Sequence, residues 1–509
     1  MAAAYTAGAL QGTATRPETE LDVVQPGQAT PPSPTDGQLE GQLFDSRQTS
    51  NNNSTSGLAY HKPDDPPQDP ELFAAVQDIP PDGGYGWVVC VCNLLVNAHT
   101  WGVNGAWGVF LAHYLSNDTF PGATELQYAL IGGLSISCAL LGSPVVNLLV
   151  RNLGTRPTMT IGTVLQAGSL LGAGSSKQIW QLFLSQGLGF GFGMGCLYIP
   201  ATAVCPQWFS SRRSLAMGIA CSGAGLGGLV YSLAAGAAIT SLGLEWTYRV
   251  LALCCLGVNL ASSVLLKDRN KFVKPKKSAL GLSEALNIEV VLLVLWGFLN
   301  ELGYITLLYS LPSYAKSIGL SYHQGSVISA MLNLGLATGR PAIGFLSDKF
   351  GRINIAGLVT VLCAVFCFAI WIPANSYATM IIFALTAGAC CGVFWGAVAP
   401  IAAEVTDLQR LPSVFGLCCL ALAFPTTFAE PIALEIVASA GSYTPAKVFV
   451  GLMFIAGGIS IWLLRSWKIY EVQKKDVREK SEEEQSAAAL KDGKLAWLTG
   501  KSLVQLTRV

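Results

Sequence analysis

Arg340, Glu301 and His99 are ionisable, yet each stands inside an apolar run long enough to cross a bilayer. A charge at the bilayer centre costs at least ~2.5–3.5 kcal/mol, so each position calls for a function or a partner. Arg340 offers a planar, permanently charged fork that suits a carboxylate. The competing reading is an arginine whose head snorkels to the near interface. Glu301, next to Asn300, could carry a proton, pair with Arg340, or simply be a neutral hydrogen-bonded core side chain. His99 is of the type that titrates near physiological pH, with a satisfied neutral ring as the alternative. Asn97, Asn104 and Tyr198 lie in neighbouring apolar runs and supply donors and acceptors to a cavity. Together these residue types suit binding of a small anion coupled to proton movement.

The elements that must position them are transmembrane helices. Hydrophobic residues make up 51% of the 509, and charged residues only 12%, about half the share usual in a soluble chain. A span needs ~20 apolar residues. Twelve segments qualify, at 87–114, 126–150, 158–175, 179–205, 213–240, 245–266, 289–315, 323–346, 353–373, 377–403, 413–438 and 446–467. The chain therefore divides into a disordered N-terminal tail (1–80), a six-helix bundle (81–266), a central loop (267–288), a second six-helix bundle (289–467) and a C-terminal tail (468–509). In that last tail, Glu482, Glu483 and Glu484 favour a helix start, and the stretch 491–501 interleaves basic with apolar residues as a surface-lying membrane helix does.

Lys and Arg gather in one set of loops, at Arg151, Arg156, Arg212, Arg213, Lys349, Arg352 and Arg410 and in the central loop; the other set holds only Lys177, Arg249, Lys316 and Lys447. The positive-inside rule then puts both termini in the cytoplasm, most simply at the plasma membrane, with a vacuolar or other endomembrane as the alternative. The loop after span 1 falls outside, which makes Asn117 a candidate glycosylation site. No signal peptide is evident, so span 1 is expected to serve as its own insertion signal.

Several classes are excluded. Net charge is zero and gives no footprint for nucleic acid. The 14 cysteines sit inside apolar runs, without metal-ligand or disulfide spacing. No nucleophile–base pair or phosphate loop is legible, so an enzyme is not expected, nor are a cofactor, a metal or an obligate protein partner. The expected partners are a small-molecule substrate, protons and the lipid bilayer.

An internal repeat supports two equivalent halves. Gly154 and Arg156 recur as Gly351 and Arg352 at nearly the same offset that separates Arg212, Ala216 and Gly218 from Arg410, Val414 and Gly416. Parallel six-span repeats with a midplane site are a known transporter architecture.

Three motifs carry a family resemblance. Asp82-Gly83-Gly84-Tyr85-Gly86-Trp87 opens span 1, with Gly83 and Gly84 read as small residues for close helix approach. Trp208 through Gly227 carries a basic pair and then small residues at helical spacing, among them Gly218, Gly223 and Gly227, read as a sliding helix contact. Gly344-Phe345-Leu346-Ser347-Asp348-Lys349-Phe350-Gly351-Arg352 joins spans 8 and 9. Over residues 82–467 the chain resembles the monocarboxylate porters of the major facilitator superfamily, in their fungal form. The resemblance implies an all-α fold of twelve transmembrane helices in two pseudo-symmetric halves. It implies secondary active transport of a small organic anion by alternating access, with symport of protons.

The resemblance makes Arg340 the anion anchor and Asp348, Lys349, Gly351 and Arg352 a gate between the halves. The loop 2–3 copy of that gate has Arg151 where an acid belongs. Two departures matter. Lactate-type relatives carry a lysine midway along span 1, where this chain has Val103-Asn104-Gly105, and an acid one turn before the span 8 arginine, where this chain has Leu336. They favour two further possibilities, efflux of a larger secondary metabolite or carriage of a neutral vitamin-like compound. A non-transporting sensor would need an organised cytoplasmic domain.

Overall fold

The computed structural model describes residues 80–273 and 284–484. The expected N-terminal tail up to residue 79, residues 274–283 of the central loop and the 491–501 stretch lie outside the described residues. Among the described residues all regular structure is helical. In hydrocarbon, every backbone N–H and C=O must be satisfied within its own segment, and a helix does this.

Among the described residues twelve helices are placed to cross. They are α1 (Tyr85–Tyr114), α2 (Glu125–Leu141 continued by Ser143–Leu153), α3 (Thr155–Gly174), α4 (Ile179–Gln207), α5 (Arg213–Leu242) and α6 (Leu244–Leu265) in one half. The other half has α7 (Ile288–Ser317), α8 (Tyr322–Phe350), α9 (Arg352–Trp371), α10 (Tyr377–Thr406), α11 (Leu411–Ala440) and α12, which runs Thr444–Glu484. Nine of these are long and apolar enough to span by composition alone, and α2 is a tenth, bent by 45° at Gly142. The other two, α3 and α8, are more polar, and they bury that polarity: Thr163 and Gln166 of α3 and Arg340 and Ser347 of α8 are all inside.

The repeat is visible in the helix starts. Gly154 precedes α3 and Gly351 precedes α9, 197 residues later, at φ 94° and 102°, a backbone region open to glycine without strain. The starts of α5 and α11, Arg213 and Leu411, are 198 apart. Between the halves, α5 packs on α8 and α2 on α11.

The glycines of α5 make its contacts close. A methyl on Gly223 or Gly227 would overlap the carbonyl of Leu94 or Ala98 in α1, and one on Gly218 would overlap the carbonyl of Arg340 in α8. Gly83 and Gly84 do not act this way, because a methyl at either would meet nothing within 4 Å. Gly84 instead takes φ 57° as the residue before α1, and the tight contact belongs to Gly86, against Trp208 and Phe209.

Two further expectations change. Glu482–Glu484 lie inside α12, which runs through them, so they do not open a new helix. Lys447 is no loop charge: it is 2% exposed, donates from Nζ to the Trp371 carbonyl at 3.0 Å and lies 3.6 Å from the Tyr314 ring centroid.

Candidate functional site

Arg340 precedes Pro341 on α8, facing the other half. Its guanidinium is buried, and Nη1 donates to the carbonyl of Cys221 on α5 at 2.6 Å. The head is thus held between the halves and does not snorkel. Room for it is made by Gly392 of α10, where a methyl would come within 2.7 Å of Nη2 and 3.0 Å of Nε. Nε itself has no hydrogen-bond partner.

Glu301 of α7 is 1% exposed and neither carboxyl oxygen has a hydrogen-bond partner. Arg340 and Trp395 of α10 are its polar neighbours. Both side-chain polar atoms of Asn300 are also unpartnered. Each unsatisfied buried polar atom costs ~1–3 kcal/mol, and such a cluster in a native protein asks for water, an ion or a ligand.

Four aromatic rings from both halves close over this centre. Trp101 of α1 lies 5.3 Å from Tyr198 of α4 and 5.8 Å from Trp395, and Tyr198 lies 6.1 Å from Phe415 of α11. Beside Arg340, the gap bordered by Ser214, Gly218, Ser347 and Val393 holds only ≈ 10 Å³, no more than one water would fill. On the side of Ser214 and Ser347 the site is shut in this structure. A wider groove of ≈ 610 Å³ between α3 and α4, lined by Gly168, Ser176 and Trp180 among others, shares none of these residues and has no ionisable side chain in its wall.

The remaining predicted residues lie elsewhere. Asn97 donates from Nδ2 to the Asn93 carbonyl at 2.8 Å and packs beneath Gly223. Asn104 Oδ1 accepts from Ser135 of α2 at 2.7 Å. The His99 ring pairs with the Leu95 carbonyl at 2.8 Å and with Tyr231 of α5, within its own half, so it does not join the Arg340–Glu301 centre. Asn117 is exposed at the end of α1.

A second cluster ties the halves together at the basic end. The Asp348 carboxylate accepts from the backbone N–H of Ser214 at 3.0 Å and of Leu215 at 2.7 Å, at the start of α5. Arg352 donates to the Ser214 hydroxyl at 3.2 Å, the Ser210 carbonyl at 2.5 Å and Glu404 at 3.1 Å. Gly351 forms the turn that sets Arg352 in place, whereas Lys349 lies over the Phe350 ring. An anion at a helix N-terminus is favoured by the orphan N–H groups and the helix dipole. Asp82 grips the same segment from the other side, accepting from the N–H of Ser210 at 2.6 Å and of Ser211 at 2.9 Å.

Sequence reasoning missed Trp101, Trp395, Gly392, Glu404 and the carboxylate of Asp82. A tryptophan in an apolar run reads as core, and only its neighbours across the halves mark it as more.

The profile described as Major Facilitator Superfamily matches residues 89–299 and 293–506. The chain is 34% identical over 398 residues to the probable transporter MCH2 of Saccharomyces cerevisiae, covering 76% of this chain and 84% of that protein. It is 36% identical over 415 residues to the uncharacterized transporter ESBP6 of the same yeast, covering 77% and 60%. It is 28% identical to the fujikurins efflux protein of Gibberella fujikuroi, covering 75% and 83%. Among solved structures, the human organic anion transporter MFSD10 shares the fold with a TM-score of 0.59 at 16% identity, covering 74% of this chain and 98% of that one.

Proposed function

Because the chain belongs to the Major Facilitator Superfamily, and so is a multi-pass membrane transporter and not an enzyme, we propose that it is a monocarboxylate-porter-type carrier that moves a small organic anion with protons. Arg340 binds the anion, and Glu301 takes and releases the proton. The observation that carries this reading is the set of buried, unpartnered polar atoms on Glu301, Asn300 and Arg340 where the halves meet. A carboxylate substrate satisfies the free Nε of Arg340, and a proton neutralises Glu301 when that substrate leaves. His99 is the weaker carrier, since its contacts lie inside one half. Asn104 and Tyr198 border the path, and Asn97 supports α1 against α5.

The two bundles, 81–266 and 289–467, rock about this centre. Asp348, Lys349, Gly351 and Arg352 close the cytoplasmic end and release it when the site opens inward. Both termini are cytoplasmic, Asn117 faces outward where it can be glycosylated, and the plasma membrane is the expected location.

A second reading, efflux of a larger metabolite, draws on Asn104, which bonds Ser135 where lactate-type relatives carry a lysine. It draws also on the relative named as an efflux protein.

Uptake into proteoliposomes under an imposed pH gradient tests the proposal. Arg340→Ala should reduce uptake of an anionic substrate about 10- to 100-fold, the worth of a charge-assisted hydrogen bond. An unchanged rate sinks the anchor, flux indifferent to the gradient sinks proton coupling, and accumulation only on the outer side favours efflux.

A further inference from the structure

We infer that the carried anion has a planar, aromatic or conjugated body, and that Trp101, Tyr198 and Trp395 are the residues that select it. The inference rests on the anion reading above and specifies the substrate class of the same site.

The three rings come from α1, α4 and α10, so they join the two halves. Trp101 meets Tyr198 edge-on at 87° and lies tilted at 38° to Trp395; Tyr198 and Trp395 are 6.0 Å apart at 73°. The anion anchor is one residue away. Cys221 donates its thiol to the Trp395 carbonyl at 3.3 Å and offers its own carbonyl to Arg340. Glu301 neighbours the same tryptophan. A cation, a carboxyl group and an aromatic wall therefore converge on Trp395.

In the shut state each half supplies the stacking partner of the other. When the halves part, Trp101 and Trp395 lose one another, and a slot opens between two aromatic faces. A planar body restores the lost contacts on both sides, because rings favour offset and edge-to-face partners. A short aliphatic acid satisfies Arg340 but leaves the slot to water. The rest of the wall includes Cys221, Cys419 and Phe415, all buried and apolar, so the body needs few polar groups beyond its acid.

The experiment is uptake by the full-length protein in proteoliposomes, with acetate and lactate compared against benzoate and cinnamate at equal concentration. The wild type should favour the aromatic acids roughly tenfold or more in kcat/KM. Trp395→Leu should bring the ratio towards one, while Trp395→Phe should keep most of it. Equal or better transport of the aliphatic acids by the wild type overturns the inference even if the Leu variant does not fold. So does an aromatic preference that survives Trp395→Leu. If aliphatic and aromatic acids both depend on Arg340 without preference, only this inference falls. If no acid moves at all, it falls together with the anion reading.

Discussion

The α5–α8 contact and the α11–α2 contact are the same contact made twice, and they differ in chemistry at several matched positions. Ser143-Pro144 in α2 matches Arg340-Pro341 in α8, 197 residues on. The Ser143 hydroxyl donates to the Gly416 carbonyl at 2.8 Å, where Arg340 reaches the Cys221 carbonyl. Arg151 stands where the other half has Asp348. The reason lies in the helix being capped. Ser214 and Leu215 present two N–H groups to Asp348, but their counterparts in α11 are Pro412 and Ser413, and proline has no N–H. Instead, the Pro412 carbonyl accepts from Asn147 at 3.2 Å. An acid at position 151 would find half the donors it needs. One interface is therefore held by a carboxylate on two backbone N–H groups and the other by a side-chain amide on a backbone carbonyl, built on one backbone pattern.

The largest effect that would break this comparison is steric. Gly218 and Gly416 are matched glycines, but a methyl at 218 overlaps the backbone carbonyl of Arg340, whereas at 416 it overlaps only the end of the Asn147 side chain. Gly218→Ala should cost the shut state about 2–3 kcal/mol, as overpacking against immobile atoms does. Gly416→Ala should cost less, about 0.5–1.5 kcal/mol, because Asn147 can swing away at the loss of its bond to the Pro412 carbonyl. Spin-label distances between the halves would read the difference. Equal effects would mean that the two contacts are equivalent after all.

Removing charge comes next. Asp348→Asn should weaken the shut state by about 1.5–3 kcal/mol and raise amide hydrogen exchange at Ser214 and Leu215. Arg151→Asp tests the converse. It should return less than half as much at α11, and full protection of Ser413 would contradict the role given to Pro412.

The smallest effect sharpens the picture of the segment both interfaces flank. Burial alone would raise the Asp82 carboxyl, but the N–H groups of Ser210, Ser211 and Arg212 outweigh it and hold it below 3.8. A depressed carboxylate stabilises the fold above its unfolded value and loses that contribution as pH falls through the folded value. The thermal stability gap between wild type and Asp82→Asn should stay constant from about pH 5 to 8 and close only in more acid solution. A gap that narrows near neutrality would place the effect on another group.

Much of this was legible in the chain. The twelve spans read from hydropathy agree with the helices to within a few residues at most ends, since the bilayer imposes both length and helicity. The start of α3 came earlier than expected because Pro157 is tolerated in a first helical turn, where its missing N–H would have had no partner. Asp348 and Arg352 stood out in the chain, but the groups they bond did not, because they are backbone groups of Ser210, Ser214 and Leu215 more than a hundred residues away. At His99 and Trp101 the chain gave no guide to which face each side chain takes, for a local reason. Residues Ala98–Gly102 form a π-helical stretch, and one extra residue in a turn rotates every side chain beyond it to another face.

By itself, the sequence determined the solvent this protein lives in, the helical spans that solvent demands, the duplication of its halves, and the charge asymmetry between its two ends. These follow from composition and spacing, which act along the chain. Tertiary structure alone decided that Arg340 reaches across to Cys221, that Glu301 is left without a partner, and that Trp101 meets Trp395. Those outcomes depend on how two bundles dock. Docking is governed by glycine contacts, helix bends and a π-helical turn, whose combined rotation no local periodicity records.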